Sequence, residues 1–275
     1  MGESELPLSN WADACPGDSP LRKLEVAEIE AHDDNWEPEF NYTIADVSQR
    51  SYIWDYQDAL DICKHPEIMP RHGFTTAPGT NAGPLVPLFT FAKTNIHSDI
   101  LVTPLEQYSD TYIGYDPDWD RKPYNELMWR GSTTGVDFEE DIPWENSQRA
   151  RLHFKTNAIE GSERVLIAEK DGPITEQEYE VALLNDEYMD ISFSGGPVQC
   201  DPPTCKLMKE LIDFQPTMGL DESYQYKYVM DVDGNGWSGR FHRLMSMKAT
   251  TLKSTLFPEW YGDRIQPWVQ YVSTL

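Results

Sequence analysis

The chain has 275 residues, with 22 Lys and Arg against 47 Asp and Glu for a formal charge of -25. That acidity argues against a nucleic-acid binder, whose affinity comes largely from cationic side chains neutralising phosphates, while nine Trp, fourteen Tyr and ten Phe supply too much ring surface for a disordered chain. No apolar run reaches the roughly eighteen residues needed to span a bilayer, and MGESELPLSN has neither the basic start nor the apolar middle of a signal peptide.

Residues 1–60 are acid-rich and weakly periodic and read as an arm or linker, with a glycosylation sequon at Asn41-Tyr42-Thr43. Of the four cysteines, Cys200 and Cys205 flank DPPT in a loop that a disulfide could close, and Cys15 with Cys63 could tie down the arm; four free thiols in a reducing compartment are the alternative. From Cys63 to Pro104 prolines and glycines are dense, which predicts an ordered loop region leading into a short apolar piece, Leu85 to Ala92.

Between Asp99 and Glu145 stand twelve acids and three bases, and ELMWRGST is the compact strand signal. Arg130 ends that strand and precedes Gly131, Ser132, Thr133, Thr134 and Gly135. A planar guanidinium fork beside small donors suits a phosphate or sugar hydroxyls; the plainer reading pairs Arg130 with Asp141 or Glu145. In WENSQRARLHFK, Arg149 and Arg151 lie two apart and cannot share one helix face, so one can serve a site and the other the surface.

The next segments read as a strand at Arg164 to Lys170, an amphipathic helix in TEQEYEVALLND, a strand in YMDISFSG and a helix in CKLMKELIDF. KYVMDVDG follows as a strand, then a helix over Arg240 to Lys248 and strands in ATTLKST and WVQYV. This alternation predicts an α/β fold with a parallel sheet and crossover helices, whose ligands collect at the carboxyl ends of the strands. There is no internal repeat and no low-complexity segment.

The densest signal runs from Lys227 to Ser254. A strand over Tyr226 to Val232 leads into Gly234, Gly236 and Gly239, spaced G-x-G-x-x-G, and then into the basic helix. Orphan N–H groups at that helix start, with the helix dipole, would suit phosphate. Five bases (Lys227, Arg240, Arg243, Lys248, Lys253) against Asp231 and Asp233 make the stretch locally positive in an acidic chain. A dinucleotide fingerprint would want an acid such as Glu259 at the end of a second strand, whereas FPEWYGD reads as a loop or helix start. An EF-hand would want Glu at the twelfth position, where His242 stands. Asp231 and Asp233 could hold a divalent cation or simply cap the turn.

WRGSTTG (129–135), SQRARL (147–152), YKYVMDVDGNGWSGRFHRLMSM (226–247), LKST (252–255) and EWYGDRIQPWVQYV (259–272) resemble fungal CAP10-type glycosyltransferases. These form glycosyltransferase family ninety, with the protein O-glucosyltransferases and the capsule-associated xylosyltransferase group. HGFTTAP (72–78), PLFTFAK (87–93) and HSDILVTP (97–104) follow in the same order, so the resemblance covers about residues 60–272. It implies a GT-B-like architecture: a Rossmann-like nucleotide-sugar lobe over about residues 120–272, within a glycosyltransferase region 61–275, and an incomplete amino-terminal lobe. It also implies donor contacts at Arg130, Ser132, Thr134, Arg149, Ser238, Arg240 and Phe241, with the Gly236 to Gly239 amides on the diphosphate and Phe241 or Trp237 over the base or sugar. Arg130 and Arg240 would offset charge developing on a departing UDP.

The implied activity is transfer of xylose or glucose from a UDP-sugar to a hydroxyl of a glycan or protein, without metal or further cofactor, in the Golgi or endoplasmic reticulum lumen. The family's general base lies in an Asp-Glu-Pro-like stretch upstream of the region around WADACPGDSPLR, so the resemblance places no catalytic residue here; HDDNWEP falls on the wrong side of that marker. The family's amino-terminal membrane anchor and further carboxyl-terminal helices also lack counterparts, which gives the expectation of a truncated chain. A non-catalytic relative that binds UDP-sugar, or an acidic binding protein without a nucleotide site, are the other readings.

Overall fold

The computed structural model describes residues 14–23, 53, 55–76, 87–109, 114–168 and 172–274. The sequon at Asn41 and the HDDNWEP stretch lie outside them.

Two short strands, β1 (Phe89–Thr90) and β2 (Ile100–Leu101), pair in parallel. After β3 (Tyr124–Gly131) comes helix α1 (Gln148–Thr156), then a hairpin of β4 (Ser162–Ala168) and β5 (Ile174–Glu180), helix α2 (Val181–Tyr188) and β6 (Met189–Phe193). Helix α3 (Pro202–Leu211), β7 (Tyr226–Val232), the single turn α4 (Phe241–Leu244), β8 (Thr250–Ser254) and β9 (Val272–Thr274) complete the order.

Five strands form one all-parallel sheet in the order β6-β3-β7-β8-β9. Counted along the chain this is 2-1-3-4-5, a doubly wound order compatible with a Rossmann-like α/β fold. Parallel strands are buried on both faces and read as continuous apolar runs. Successive residues accordingly enter different cores: Trp129, Met230 and Val232 pack with Ile191, Phe193, Ala150 and Met208, whereas Met128 and Val229 pack with Tyr224, Leu244 and Met247.

A third core joins the amino-terminal segments to the last loops: Cys15, Leu21, Tyr56, Leu60 and Ile62 pack with Phe241, Leu256, Phe257 and Tyr271. Disulfides link Cys15 to Cys63 and Cys200 to Cys205, with Cα atoms 5.5 and 5.3 Å apart, so the disulfide reading holds over free thiols.

Three expected elements differ. TEQEYEVALLND is not one helix: its first half is β5, paired with β4 in register from Ser162↔Glu180 to Ala168↔Ile174, because an inward-facing helical stripe (Val181, Ala182, Leu184) starts only at Val181. The strand read at Arg164 to Lys170 is β4, and it lies in this separate hairpin. WVQYV turns at Trp268, whose φ is +67° and whose N–H bonds the Tyr271 carbonyl at 2.7 Å, so β9 starts at Val272.

Candidate functional site

Strands β3 and β7 are neighbours, paired at Leu127↔Tyr228 and Met128↔Val229. From β3 the chain departs towards β6 on one side, and from β7 towards β8 on the other. Their carboxyl ends therefore bound the crevice where a doubly wound sheet takes its ligand. The loops leaving them, Ser132 to Val136 and Asp233 to Arg240, are rich in glycine and small polar residues.

The loops touch through glycine. Gly135 has φ +101°, and a Cβ there would lie 3.2 Å from the Gly234 carbonyl; one on Gly234 would lie 3.2 Å from Arg149 Nη2. Asn235 crosses back, its Oδ1 accepting the Gly135 N–H at 2.9 Å. His72 braces the same turn: its Nδ1 accepts from the Phe74 N–H at 3.0 Å, leaving Nε2 to donate to the Gly234 carbonyl at 2.8 Å. Burial, with Arg149 nearby, lowers the His72 pKa to about 4 and keeps the ring neutral.

Arg149 projects from α1 into the seam. Its guanidinium donates to Asp233 O (2.7 Å), Ser132 O (2.7 Å), Thr134 Oγ1 (2.6 Å) and Val232 O (3.2 Å). Burial brings its pKa down to about 10, and the planar fork binds both loops at once. Arg149 is thus a staple between loops, with its donors spent inside the protein. Arg151, two residues on, is half-buried and points elsewhere, as the helix period demands.

Behind the glycine turn lies a buried charge network. Asp231 accepts a hydrogen bond from Ser238 Oγ and another from Lys253 Nζ at 2.8 Å. Lys253 also pairs with Glu259 at 2.6 Å and sits 3.9 Å from the Phe241 ring centre. Burial pushes the Lys253 ammonium down, but the carboxylates of Asp231, Glu259 and Asp233 outweigh it, so its pKa rises above the usual range. Asp233 accepts the Leu256 N–H at 2.7 Å, and burial raises its carboxyl to about 8. Both aspartates organise the turn; among the described residues no group of three His, Cys, Asp or Glu is arranged to hold a metal.

Several expectations change at this point. The helix expected over Arg240 to Lys248 is the single turn α4, too short to develop an N-terminal dipole field, so the anion argument from that helix falls. The local excess of positive charge is also largely spent: Lys253 is paired internally, Lys248 bonds Asp118 at 2.7 Å, and Lys227 lies 4.7 Å from the Trp119 ring centre. Arg130 pairs with Asp190 on β6, and not with Asp141 or Glu145; it also donates to the Asp190 carbonyl at 2.7 Å, while Tyr226 donates to the same carboxylate. The Phe241 side chain is 1% exposed and stacks on Tyr261 at 5.5 Å, so it packs the core and does not face the crevice. Trp237 is half-buried against Phe91 at 5.5 Å.

What remains at the crevice is compact. Arg240 donates to the Arg130 carbonyl at 2.6 Å, and its other guanidinium N–H groups have no acceptor among the described residues. The backbone N–H groups of Trp237, Ser238, Gly239 and Arg240 are likewise without a protein acceptor among those residues. Gly236 (φ +96°), Gly239 and the exposed Ser132 complete the rim. No family model matches the chain, and no curated protein matches it either.

Sequence reasoning gave no role to Asp190 or His72. The Asp231–Lys253 pair follows from the strand register, which sets these residues opposite one another on β7 and β8.

Proposed function

We propose that the chain is a sugar-nucleotide-dependent glycosyltransferase whose donor diphosphate lies across the β3–β7 crevice. The observation that carries the reading is Arg240, a half-buried guanidinium with unspent donors, beside four free amides at the switch point of the sheet. Such a group is poorly satisfied without an anion, and charge-assisted bonds to phosphate oxygens satisfy it. Arg240, the amides of residues 237–240 and Ser132 would contact the donor directly. Arg149, Thr134, Ser238 and Phe241 act by shaping the two loops, and Arg130 supplies the carbonyl on which Arg240 rests. The motifs resembling family ninety coincide with these loops, which is the support for UDP-xylose or UDP-glucose as donor and for a glycan or protein hydroxyl as acceptor.

The resemblance further supports a GT-B-like second lobe. Among the described residues the five-stranded sheet is preceded by only the two-stranded β1–β2 pair. We read the transfer as metal-independent, since Asp231 and Asp233 engage Ser238, Lys253 and Leu256; EDTA should leave activity unchanged. Two disulfides favour an oxidising compartment and so the secretory lumen. No helix among the described residues is long and apolar enough to cross a membrane.

Calorimetry with UDP, UDP-xylose and UDP-glucose tests the reading. Arg240→Ala should weaken UDP binding at least about tenfold, the order expected for a lost hydrogen bond to a charged group, with an unchanged melting temperature. Absence of UDP binding by the parent chain would refute a donor site. Binding without sugar transfer to any acceptor would leave a nucleotide-binding protein.

A further inference from the structure

We infer that the Cys200–Cys205 disulfide is a thiol-sensitive latch on the crevice, opened by a dithiol reductant and closed by reoxidation. Its effect on UDP rests on the donor reading; its effect on the loops does not.

The two bridges differ in reach and in exposure. Cys15 and Cys63 are 7% and 3% exposed and close a separation of 48 residues. Cys200 and Cys205 are half-buried, close a separation of five, and flank the exposed Pro202 and Pro203. A loop so short removes little freedom from the unfolded chain, so the second bridge acts mainly on its surroundings. Exposed disulfides are also the ones that thiols reach, and labile or regulatory bridges are drawn from them.

Those surroundings are one wall of the crevice. Cys200 lies beside Phe138 in a parallel bridge: the Phe138 N–H donates to the Gln199 carbonyl at 2.8 Å, and the Asp201 N–H donates to the Phe138 carbonyl at 3.1 Å. Thr133 Oγ1 accepts the Val198 N–H at 2.7 Å and donates to the Val198 carbonyl at 2.8 Å. Segment 198–201 thus grips the loop after β3 at two points, Thr133 and Phe138. Between them stand Thr134, bonded to Arg149, and Gly135, seated against Gly234. Gln199, within the gripping segment, has φ +54°, a left-handed conformation that a non-glycine residue holds only where its surroundings enforce it. The tie from Cys200 to Cys205 in α3 enforces it, and a cut bridge lets Gln199 relax.

The reductant is a dithiol. One of its thiolates attacks the Cys200 sulfur, forming a mixed disulfide and breaking the bond to Cys205, whose sulfur departs as a thiolate and takes up a proton. Cys205 is the better leaving group because it lies near the amino end of α3. The second thiol then attacks the mixed disulfide and releases Cys200 as a thiol, so two electrons pass to the protein and the reductant ends as a disulfide.

Graded dithiothreitol, with alkylation and peptide mass mapping, reads which bridge opens; amide hydrogen exchange and UDP calorimetry read the result. Cys200–Cys205 should open first, with Cys15–Cys63 intact and the protein still folded. Exchange at Val198 and Phe138 should quicken, and UDP binding should weaken about fivefold, the lower end of usual coupling between sites. Oxidised glutathione, added after the dithiothreitol is removed, should restore both. A variant carrying Cys200→Ser and Cys205→Ser should reproduce the reduced state and lose the response to dithiol; if it fails to fold, reduction and reoxidation of the parent chain decide. Opening of the two bridges together, a Cys200–Cys205 bridge that persists until the protein unfolds, or unchanged exchange at Val198 and Phe138 overturns the latch. So does faster exchange with unaltered UDP affinity. A parent chain that binds no UDP while oxidised refutes the donor reading, and exchange alone then judges the latch.

Discussion

The seam between β3 and β7 and the β4–β5 hairpin are both built from strands of seven or eight residues, yet they are held by different forces. At the seam the groups that join the loops have named partners: Arg149 to both loops, Asp231 to Ser238 and Lys253, Asn235 to Gly135. In the hairpin no residue of either strand is buried, and its ion pair, Arg164 with Glu176 at 3.3 Å, is largely solvated. Charge buried in the seam fixes geometry, whereas charge on the hairpin stays in contact with water.

Lys253→Met against Glu176→Gln should break this comparison most widely. The first strands Asp231 and Glu259 in the interior and should cost about 3–5 kcal/mol, the usual penalty for removing one partner of a buried pair. The second should change stability by less than about 0.5 kcal/mol, as at most surface sites. Chemical denaturation reads both, and equal losses would show that Lys253 is not the keystone of the seam.

A glycine pair sharpens the contrast. Gly135 and Gly161 have similar φ, +101° and +94°, but a Cβ on Gly135 would press the Gly234 carbonyl at 3.2 Å, whereas on Gly161 it would meet only Val181 at 3.9 Å. Gly161→Ala should carry the left-handed strain alone, about 1–2 kcal/mol. Gly135→Ala should lose clearly more, and should weaken UDP binding as well by parting the loops.

The remaining test is in pH dependence. Asp233, raised to about 8, binds a proton in the folded state that the unfolded chain has released above about 4. Its contribution is therefore present at low pH and is lost as pH rises through 8. His72, lowered to about 4, works the other way: the unfolded chain binds the extra proton between about 4 and 6.5, so stability is lost as pH falls through that window. These two contributions oppose each other up to about pH 6.5, and above it the Asp233 decline stands alone. Asp233→Asn should flatten the melting temperature between pH 6.5 and 8 and expose the His72 rise below.

The sheet was legible because β3, β6, β7 and β8 are runs buried on both faces, and no helix period fits ELMWRG or YKYVMDV. The hairpin was not, because a strand solvated on both faces carries no apolar alternation, and TEQEYE scans as the polar start of the helix that follows. For the site, the two loops were legible from their glycines and small polar residues, but the roles of individual arginines were not. Which acid Arg130 meets depends on β6 lying beside β3, and whether Arg149 faces ligand or carbonyls depends on how α1 docks. Charge counts along Lys227 to Lys253 miscounted the site for the same reason: Lys253 belongs to the core, which only the strand register reveals.

The bridge between Cys15 and Cys63 has a consequence for the integrity of the chain. Peptide-bond cleavage anywhere between those residues would leave the helical turn Pro20–Lys23, or the part beyond the cut, attached through sulfur to the body that holds Leu60 and Ile62. A chain nicked there would migrate as one species without reductant and as two with it, and the larger fragment would keep both glycine loops.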